Sequence, residues 1–92
     1  MNRVFRALAD PTRREILALL RKGPRTSGEI ATVFPSRWPT ISRHLAVLRD
    51  AGLILSERQG QHIRYELDTS VLQDLIQHLL AWAGKGGRRH AQ

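Results

Sequence analysis

Residues 36–53, SRWPTISRHLAVLRDAGL, form the stretch that decides the fold of this chain. With about 100° between successive residues of a helix, Ile41, Leu45 and Leu48 fall within about 60° of one another. They make one apolar stripe of the kind that packs against a protein core. Gly52 follows the last turn, where a glycine in the left-handed conformation commonly ends a helix. The pattern therefore predicts a helix over about residues 37–51.

Near the N-terminus of this helix, Pro39 and Arg43 lie on the side opposite the apolar stripe, and the hydrogen-bonding residues Thr40 and Ser42 flank them. The N-terminus is also the positive end of the helix dipole. A DNA-recognition helix has this layout, because its N-terminal residues enter the major groove and reach base edges. Taken alone, the helix also fits an ordinary amphipathic segment with a solvated polar face.

Three helices are predicted before this one. Residues 2–9 show helical spacing of apolar side chains, and Asp10 is placed to cap a second helix with Pro11 at its first position. Thr26 precedes a Glu by three residues, which is the spacing of a capping box at the start of a short third helix over 26–33. The third and fourth helices are joined by a turn rich in helix breakers, as in a helix-turn-helix unit.

After Gly52 the apolar period changes from 3.6 to 2, which predicts a β-hairpin over residues 53–67 with Gly60 in its turn. We call this hairpin the wing. In its first strand Leu53 and Leu55 alternate with Ile54 and Ser56. In its second strand the apolar residues are Ile63, Tyr65 and Leu67.

A last helix is predicted over about residues 70–83. The expected fold is mainly α with a β-hairpin wing, an α+β winged helix-turn-helix in the order ααααββα. One domain for DNA binding and dimerisation is expected over 1–83, followed by a flexible basic tail over 84–92.

The charge of the chain favours a polyanionic partner. The formal net charge is +7, and 13 of the 15 basic residues are Arg, which suits bidentate contacts with phosphate and guanine. Without the tail, 12 basic residues still face 8 acidic ones. A merely soluble basic surface, or binding to an anionic membrane, are the alternatives that composition leaves open.

The sequence argues against several other classes of protein. It has no Cys, which excludes disulfides and thiolate metal sites. No stretch is long and apolar enough to span a membrane, and the N-terminus lacks the apolar region of a signal peptide. No Gly-rich phosphate loop or nucleophile–base set is visible, so neither an enzyme nor a bound cofactor is expected. A soluble cytoplasmic protein follows by elimination.

Two segments carry a family resemblance. FRALADPTRREILALL, residues 5–20, resembles the N-terminal signature of the ArsR-type winged helix-turn-helix repressors, and TISRHLAVLRDAGLI, residues 40–54, resembles their recognition helix and the start of their wing. The likeness covers residues 3 to about 82, and TSVLQDLIQHLLAW, residues 69–82, is most similar to the SdpR-like autorepressors without a metal site. The resemblance implies a homodimeric transcriptional repressor that binds a partly palindromic operator.

The residues expected to contact double-stranded DNA lie at the start of the fourth helix or on the wing. They are Arg37, Pro39, Thr40, Ser42, Arg43, Arg58, Gln59, Gln61, His62 and Arg64.

The last helix is apolar over a wider arc than a small monomer needs, and the first helix adds further apolar residues. Either both helices close a monomer core or they form a dimer interface, and we favour the interface, as the resemblance also implies. Its expected residues are Val4, Phe5, Leu8, Leu72, Leu75, Ile76, Leu79 and Trp82.

Two histidines invite a metal-site interpretation. Asp74 and His78 are four residues apart on the last helix, where metal-sensing members of the family place ligands, but a solvated surface pair is the more common outcome. His44 lies beside the apolar stripe and is expected to fasten the recognition helix rather than bind a ligand. The rival functions are a ligand- or metal-responsive regulator of the same fold and a winged-helix protein-interaction module. Neither an unknown protein nor a small-molecule effector can be named from the sequence.

Overall fold

Helices and strands follow one another through almost all of the described chain. The computed structural model describes residues 1–87. In chain order the elements are α1 (Asn2–Leu8), α2 (Pro11–Arg21), β1 (Arg25–Thr26), α3 (Ser27–Val33), α4 (Trp38–Asp50), β2 (Ile54–Gln59), β3 (His62–Leu67) and α5 (Thr69–Gly87). The expected α+β winged helix-turn-helix fold is confirmed, with one added strand.

Local side-chain hydrogen bonds begin α2 and α3 where the sequence predicts. The Asp10 carboxylate accepts from the backbone N–H of Thr12 at 2.8 Å and of Arg13 at 3.1 Å. At α3 the Thr26 hydroxyl accepts from the N–H of Glu29 at 3.2 Å, and the Glu29 carboxylate accepts from the N–H of Thr26 at 2.8 Å. Both caps satisfy backbone donors that the first turn of a helix leaves free.

The sheet has three antiparallel strands in the order β1-β3-β2 among the described residues. The predicted hairpin is confirmed: Gln59 pairs with His62 across a two-residue turn in which Gly60 has φ of 61°. The sequence did not predict β1, which pairs Arg25 with Tyr65. A two-residue strand has no periodicity of its own, and its partner lies far along the chain.

One side chain of β2 points away from the expected side. Alternation grouped Leu55 with Leu53, yet Leu53 and Ile54 are buried and Leu55 is 53% exposed. The reason is that β2 begins at Ile54, which pairs with Leu67 on the buried face of the sheet. Successive residues of a strand point to opposite faces of the sheet. Because Ile54 lies on the buried face, Leu55 points to solvent.

The core lies between α2, α3, α4 and the sheet. Ile41, Leu45 and Leu48 are fully buried, as the apolar stripe predicts. They join Ile16 and Ile30 from the two preceding helices in one cluster. Tyr65 completes this cluster from β3, and burial raises the pKa of its phenol.

The last helix is longer than predicted. It continues through Gly84 to Gly87 instead of ending near Ala83. Glycine disfavours helix, but an existing helix gains a backbone hydrogen bond with each added residue, so extension is easier than initiation. The first four residues of the expected tail are thus helical, and its residues 88–92 lie outside the described residues. Within the described part of the chain, no helix is long and apolar enough to cross a membrane.

A substitution at the junction of α4 and the wing tests this packing. Gly52 has φ of 81°, and a Cβ there would lie 3.0 Å from Val71 Cγ2 of α5. We expect Gly52→Ala to lower the free energy of unfolding by about 1–2 kcal/mol from the left-handed backbone alone, and by more because of the contact. Urea unfolding followed by circular dichroism measures the change.

Gly60→Ala is the matched control, because Gly60 also has positive φ but an added Cβ there meets nothing within 4 Å. Its free energy of unfolding should fall only by the part that comes from the left-handed backbone. Equal losses in the two variants would contradict the close approach of Gly52 to α5.

Candidate nucleic-acid interface

The start of α4 presents the predicted DNA-contacting residues to solvent. All five residues expected there to contact DNA are exposed: Arg37, Pro39, Thr40, Ser42 and Arg43. Arg37 is the N-cap, and within the described chain its side chain makes no capping hydrogen bond. Pro39 sits in the first turn, where the N–H that proline lacks would have no helical partner. The positive end of the helix is therefore open to solvent beside two guanidinium groups.

The residues predicted on the wing divide between its two faces. The cross-strand pair Gln59 and His62 lies on the same face as Arg64, whereas Arg58 pairs with Ile63 on the other face. Gln61 is exposed in the turn between the strands. The wing therefore offers polar groups on both sides and at its tip.

Arg64 differs from the other predicted wing residues. It is half-buried, and its Nη1 lies 3.2 Å from Glu66 Oε1 in an ion pair. Its charge is thus partly neutralised within the wing. Among residues 1–87, Arg58 makes no ion pair, and its side chain is exposed. Of the two wing arginines, Arg58 is the better placed to meet a phosphate.

A residue that the sequence did not single out holds α4 in place. The Arg13 guanidinium donates to the carbonyls of Ala7 and Arg6, each at 2.8 Å, and its Nη1 lies 3.2 Å from His44 Nδ1. Arg14 donates to the Leu8 carbonyl at 2.7 Å. Together they satisfy carbonyls at the end of α1, and Arg13 links that end to α4.

A signal for this junction exists in the sequence. Arg13 and Arg14 lie in the first turns of α2, where positive charge opposes the helix dipole. Two cations in that position suggest that their guanidinium groups donate to acceptors outside α2. The backbone carbonyls at the end of the first helix are those acceptors. His44 is half-buried at this junction, so its expected role in fastening α4 is confirmed.

The Asp10 carboxylate lies at the same junction. The hydrogen bond from the N–H of Arg13 holds the pKa of Asp10 below its usual 3.8, with smaller contributions from His44, from the N–H of Thr12 and from the Arg13 charge. Partial burial opposes them. The ionised carboxylate thus caps the start of α2, next to this junction.

The residues expected at a dimer interface separate into buried and exposed sets. Val4 and Leu75 are 5% and 6% exposed and belong to the core of the single chain. Leu8 and Leu72 are half-buried against that core. The exposed set comprises Phe5, Ile76, Leu79 and Trp82, and the structure adds Leu80, another residue of the apolar arc of the last helix. We call these five residues the apolar face.

Asp74 and His78 are both exposed on α5. The His78 ring stacks on Trp82, with ring centroids 5.8 Å apart and an angle of 29° between the planes. No group of three or more His, Asp or Glu side chains that could hold a metal ion occurs in the described range. Within one subunit, the partner of His78 is thus an aromatic ring.

The helices of this surface match a known sequence family. A helix-turn-helix domain family matches residues 8–57, from the end of α1 into β2. The transcriptional repressor SdpR of Bacillus subtilis is 50% identical over 86 residues, which cover 94% of this chain and 96% of SdpR. The arsenical resistance operon repressor of Escherichia coli is 39% identical over 83 residues, 89% of this chain and 64% of that repressor.

Solved structures resemble the whole arrangement of elements. An ArsR-like transcriptional regulator from a Rhodococcus species has a TM-score of 0.89 and 33% identity, covering 98% of this chain and 83% of that one. HlyU from Vibrio cholerae has a TM-score of 0.72 and 26% identity, covering 87% of each chain. The similarity extends beyond the helix-turn-helix to the wing and α5.

The pKa of Asp10 leads to a prediction about acid stability. Because this pKa is lower in the folded than in the unfolded protein, the carboxylate stabilises the fold above pH 3.8, and this contribution is lost as the pH falls through the folded-state value. Asp10→Asn keeps a capping oxygen but cannot ionise. We expect its free energy of unfolding to fall less steeply between about pH 5.5 and about pH 2.5 in urea titrations.

The unmodified protein, titrated in the same buffers, is the reference. An acid dependence of Asp10→Asn identical to that of the unmodified protein would show that the cap of α2 does not depend on this charge.

Proposed function

This chain belongs to the ArsR family of winged helix-turn-helix transcriptional regulators, and we propose that it is a homodimeric repressor of a partly palindromic operator. It binds DNA through the start of α4 and the wing. The observation that carries the proposal is the exposure of Thr40, Ser42 and Arg43 at the start of α4, away from its buried stripe.

The chemistry of this surface suits base reading. A guanidinium donates two hydrogen bonds to the O6 and N7 of guanine, and hydroxyl groups reach either base edges or phosphates. Arg43 and the hydroxyls of Thr40 and Ser42 lie within about a turn and a half of the end of α4 that enters the groove. Small neighbours such as Pro39 permit close approach to the bases.

The charge of the chain suits the backbone of DNA. A net charge of +7 attracts a polyanion over a distance, and each phosphate contact releases counterions. Arg58 on the wing and Arg37 beside α4 are exposed cations on either side of the reading residues. They position the protein on the duplex without specifying a sequence.

A second subunit would supply the other half of the DNA-binding surface. The apolar face on α1 and α5 leaves five large apolar side chains exposed, and burial of such side chains drives association. Two subunits joined through this face would place two α4 helices in successive major grooves, about 34–36 Å apart. The two-fold symmetry of the protein then matches a palindromic operator.

The likeness to the transcriptional repressor SdpR supports repression as the outcome. We place the operator upstream of the chain's own gene, which makes the protein an autorepressor acting in the bacterial cytoplasm. A gel-shift titration with that upstream DNA against a random duplex of equal length tests the proposal. Equal affinity for both duplexes would contradict it.

Two arginine substitutions separate base reading from backbone binding. If Arg43 reads a base, Arg43→Ala should weaken operator binding by about 1–3 kcal/mol and reduce the preference for operator over random DNA. If Arg58 contacts phosphate, Arg58→Ala should weaken both duplexes alike and lower the salt slope by about one unit. Fluorescence anisotropy at several salt concentrations measures both effects.

Each variant serves as the other's control, after circular dichroism has shown that both are folded. An unchanged operator preference in Arg43→Ala would mean that α4 does not read the sequence. A protein-docking role for α4 would then be favoured.

The apolar face predicts the oligomeric state. Light scattering should give twice the 10.5 kDa mass of the chain. Leu79 is exposed in the single chain, so each subunit of Leu79→Asp should keep its helical content. The dimer should dissociate, because its interface would otherwise bury an unpaired charge. Gln77→Asp places the same charge on an exposed polar position of α5 and should remain dimeric. A monomeric unmodified protein would overturn the interface.

A further inference from the structure

An open groove of about 340 Å³ lies where α3, the start of α4 and the wing meet. One wall is formed by α3, with Ser27 and Ala31, and the other by Arg58 and Ile63 of the wing. The Trp38 indole, at the first position of α4, lines the groove between them. The groove is therefore continuous with the reading surface of α4 and with the exposed cation of the wing.

Trp38 is conspicuous because it is a large apolar side chain left 39% exposed beside an otherwise polar surface. Trp38 does not belong to the buried core cluster, to which α4 contributes Ile41, Leu45 and Leu48. Its exposed ring surface gains free energy when a ligand covers it. An indole in this position favours a ligand with an apolar surface.

The charges around the groove restrict the identity of that ligand. Its lining contains no acidic residue, and it includes Arg58, which forms no ion pair among the described residues. The Ser27 hydroxyl and the Gln61 amide add hydrogen-bond donors. Cationic and neutral donors beside an apolar ring suit a strand in which anionic phosphates alternate with the less polar faces of sugars.

We infer that Trp38 packs against a deoxyribose of the operator backbone while Arg58 and Ser27 hold a phosphate next to it. The inference rests on the proposed function and deepens it, because it adds a backbone contact at the edge of the reading surface. The contact is independent of base sequence. It anchors the start of α4 at the point where that helix enters the major groove.

Fluorescence tests the contact in the intact chain. The sequence has two Trp residues, so Trp82→Phe leaves Trp38 as the only indole. Quenching by acrylamide, which is neutral and unaffected by the charge of DNA, reports how much of this ring is open to solvent. Quenching should fall when Trp82→Phe is saturated with the upstream duplex, and fall equally with a random duplex. The reciprocal variant, Trp38→Phe, reports on Trp82 and should show no change.

Binding measurements provide the second arm. Trp38→Ala should weaken both operator and random DNA by about tenfold, and Trp38→Phe should weaken them less because an aromatic ring remains. Leu55→Ala is the matched control: Leu55 is an exposed apolar residue on the face of the wing opposite Arg58. Its affinity for both duplexes should not change.

The outcomes distinguish this contact from the proposed function. If the unmodified protein shifts the duplex but quenching of Trp38 is unchanged, the contact is wrong and the function stands. If Trp38→Ala loses affinity for the operator alone, Trp38 touches a base and the sugar assignment is wrong. If the unmodified protein binds no duplex, both fail. Should Trp38→Ala not fold, the quenching measurement on Trp82→Phe still decides.

Discussion

Complete burial of Ile41, Leu45 and Leu48 determines which side of α4 faces solvent. Burying an aliphatic side chain of this size contributes about 1.5–3 kcal/mol, so a rotation of α4 that exposed all three would forfeit several kcal/mol. Because Thr40 and Arg43 lie away from that stripe, its burial also presents them to solvent. The orientation of the reading surface thus follows from core packing and needs no contact among the reading residues themselves.

Burial fixes the rotation of α4, whereas hydrogen bonds near its middle and at its C-terminal end fix its position relative to α1 and the wing. Near its middle, His44 meets the Arg13 guanidinium that also binds the last carbonyls of α1. At its end, Gly52 reverses the chain so that the Leu53 N–H donates to the Leu48 carbonyl at 3.0 Å. The first strand of the wing therefore follows α4 closely, and the relative positions of the helix and the wing depend on a three-residue connection.

The described chain concentrates different exposed groups on different elements. Exposed arginines and hydroxyl groups lie at the start of α4 and on the wing, whereas five large apolar side chains are exposed on α1 and α5. Val33, Trp38 and Leu55 are exposed apolar residues outside α1 and α5. A chain of 92 residues has too small a core to cover every apolar helix face. Association through α5 would stabilise the protein and at the same time give it the two-fold symmetry that a palindromic site requires. Stability and DNA recognition would then depend on the same event.

The sequence by itself determined the features that act within one turn of helix. The caps at Asp10 and Thr26 and the recognition helix were predicted because their partners lie within a few residues along the chain. Only the tertiary structure decided the features with distant partners. The phase of Leu55 depends on pairing between β2 and β3, the role of Arg13 depends on α1 and α4 meeting it, and the burial of Leu75 depends on where α5 packs. Local patterns show which residues share a face, but only the neighbours in three dimensions determine what that face touches.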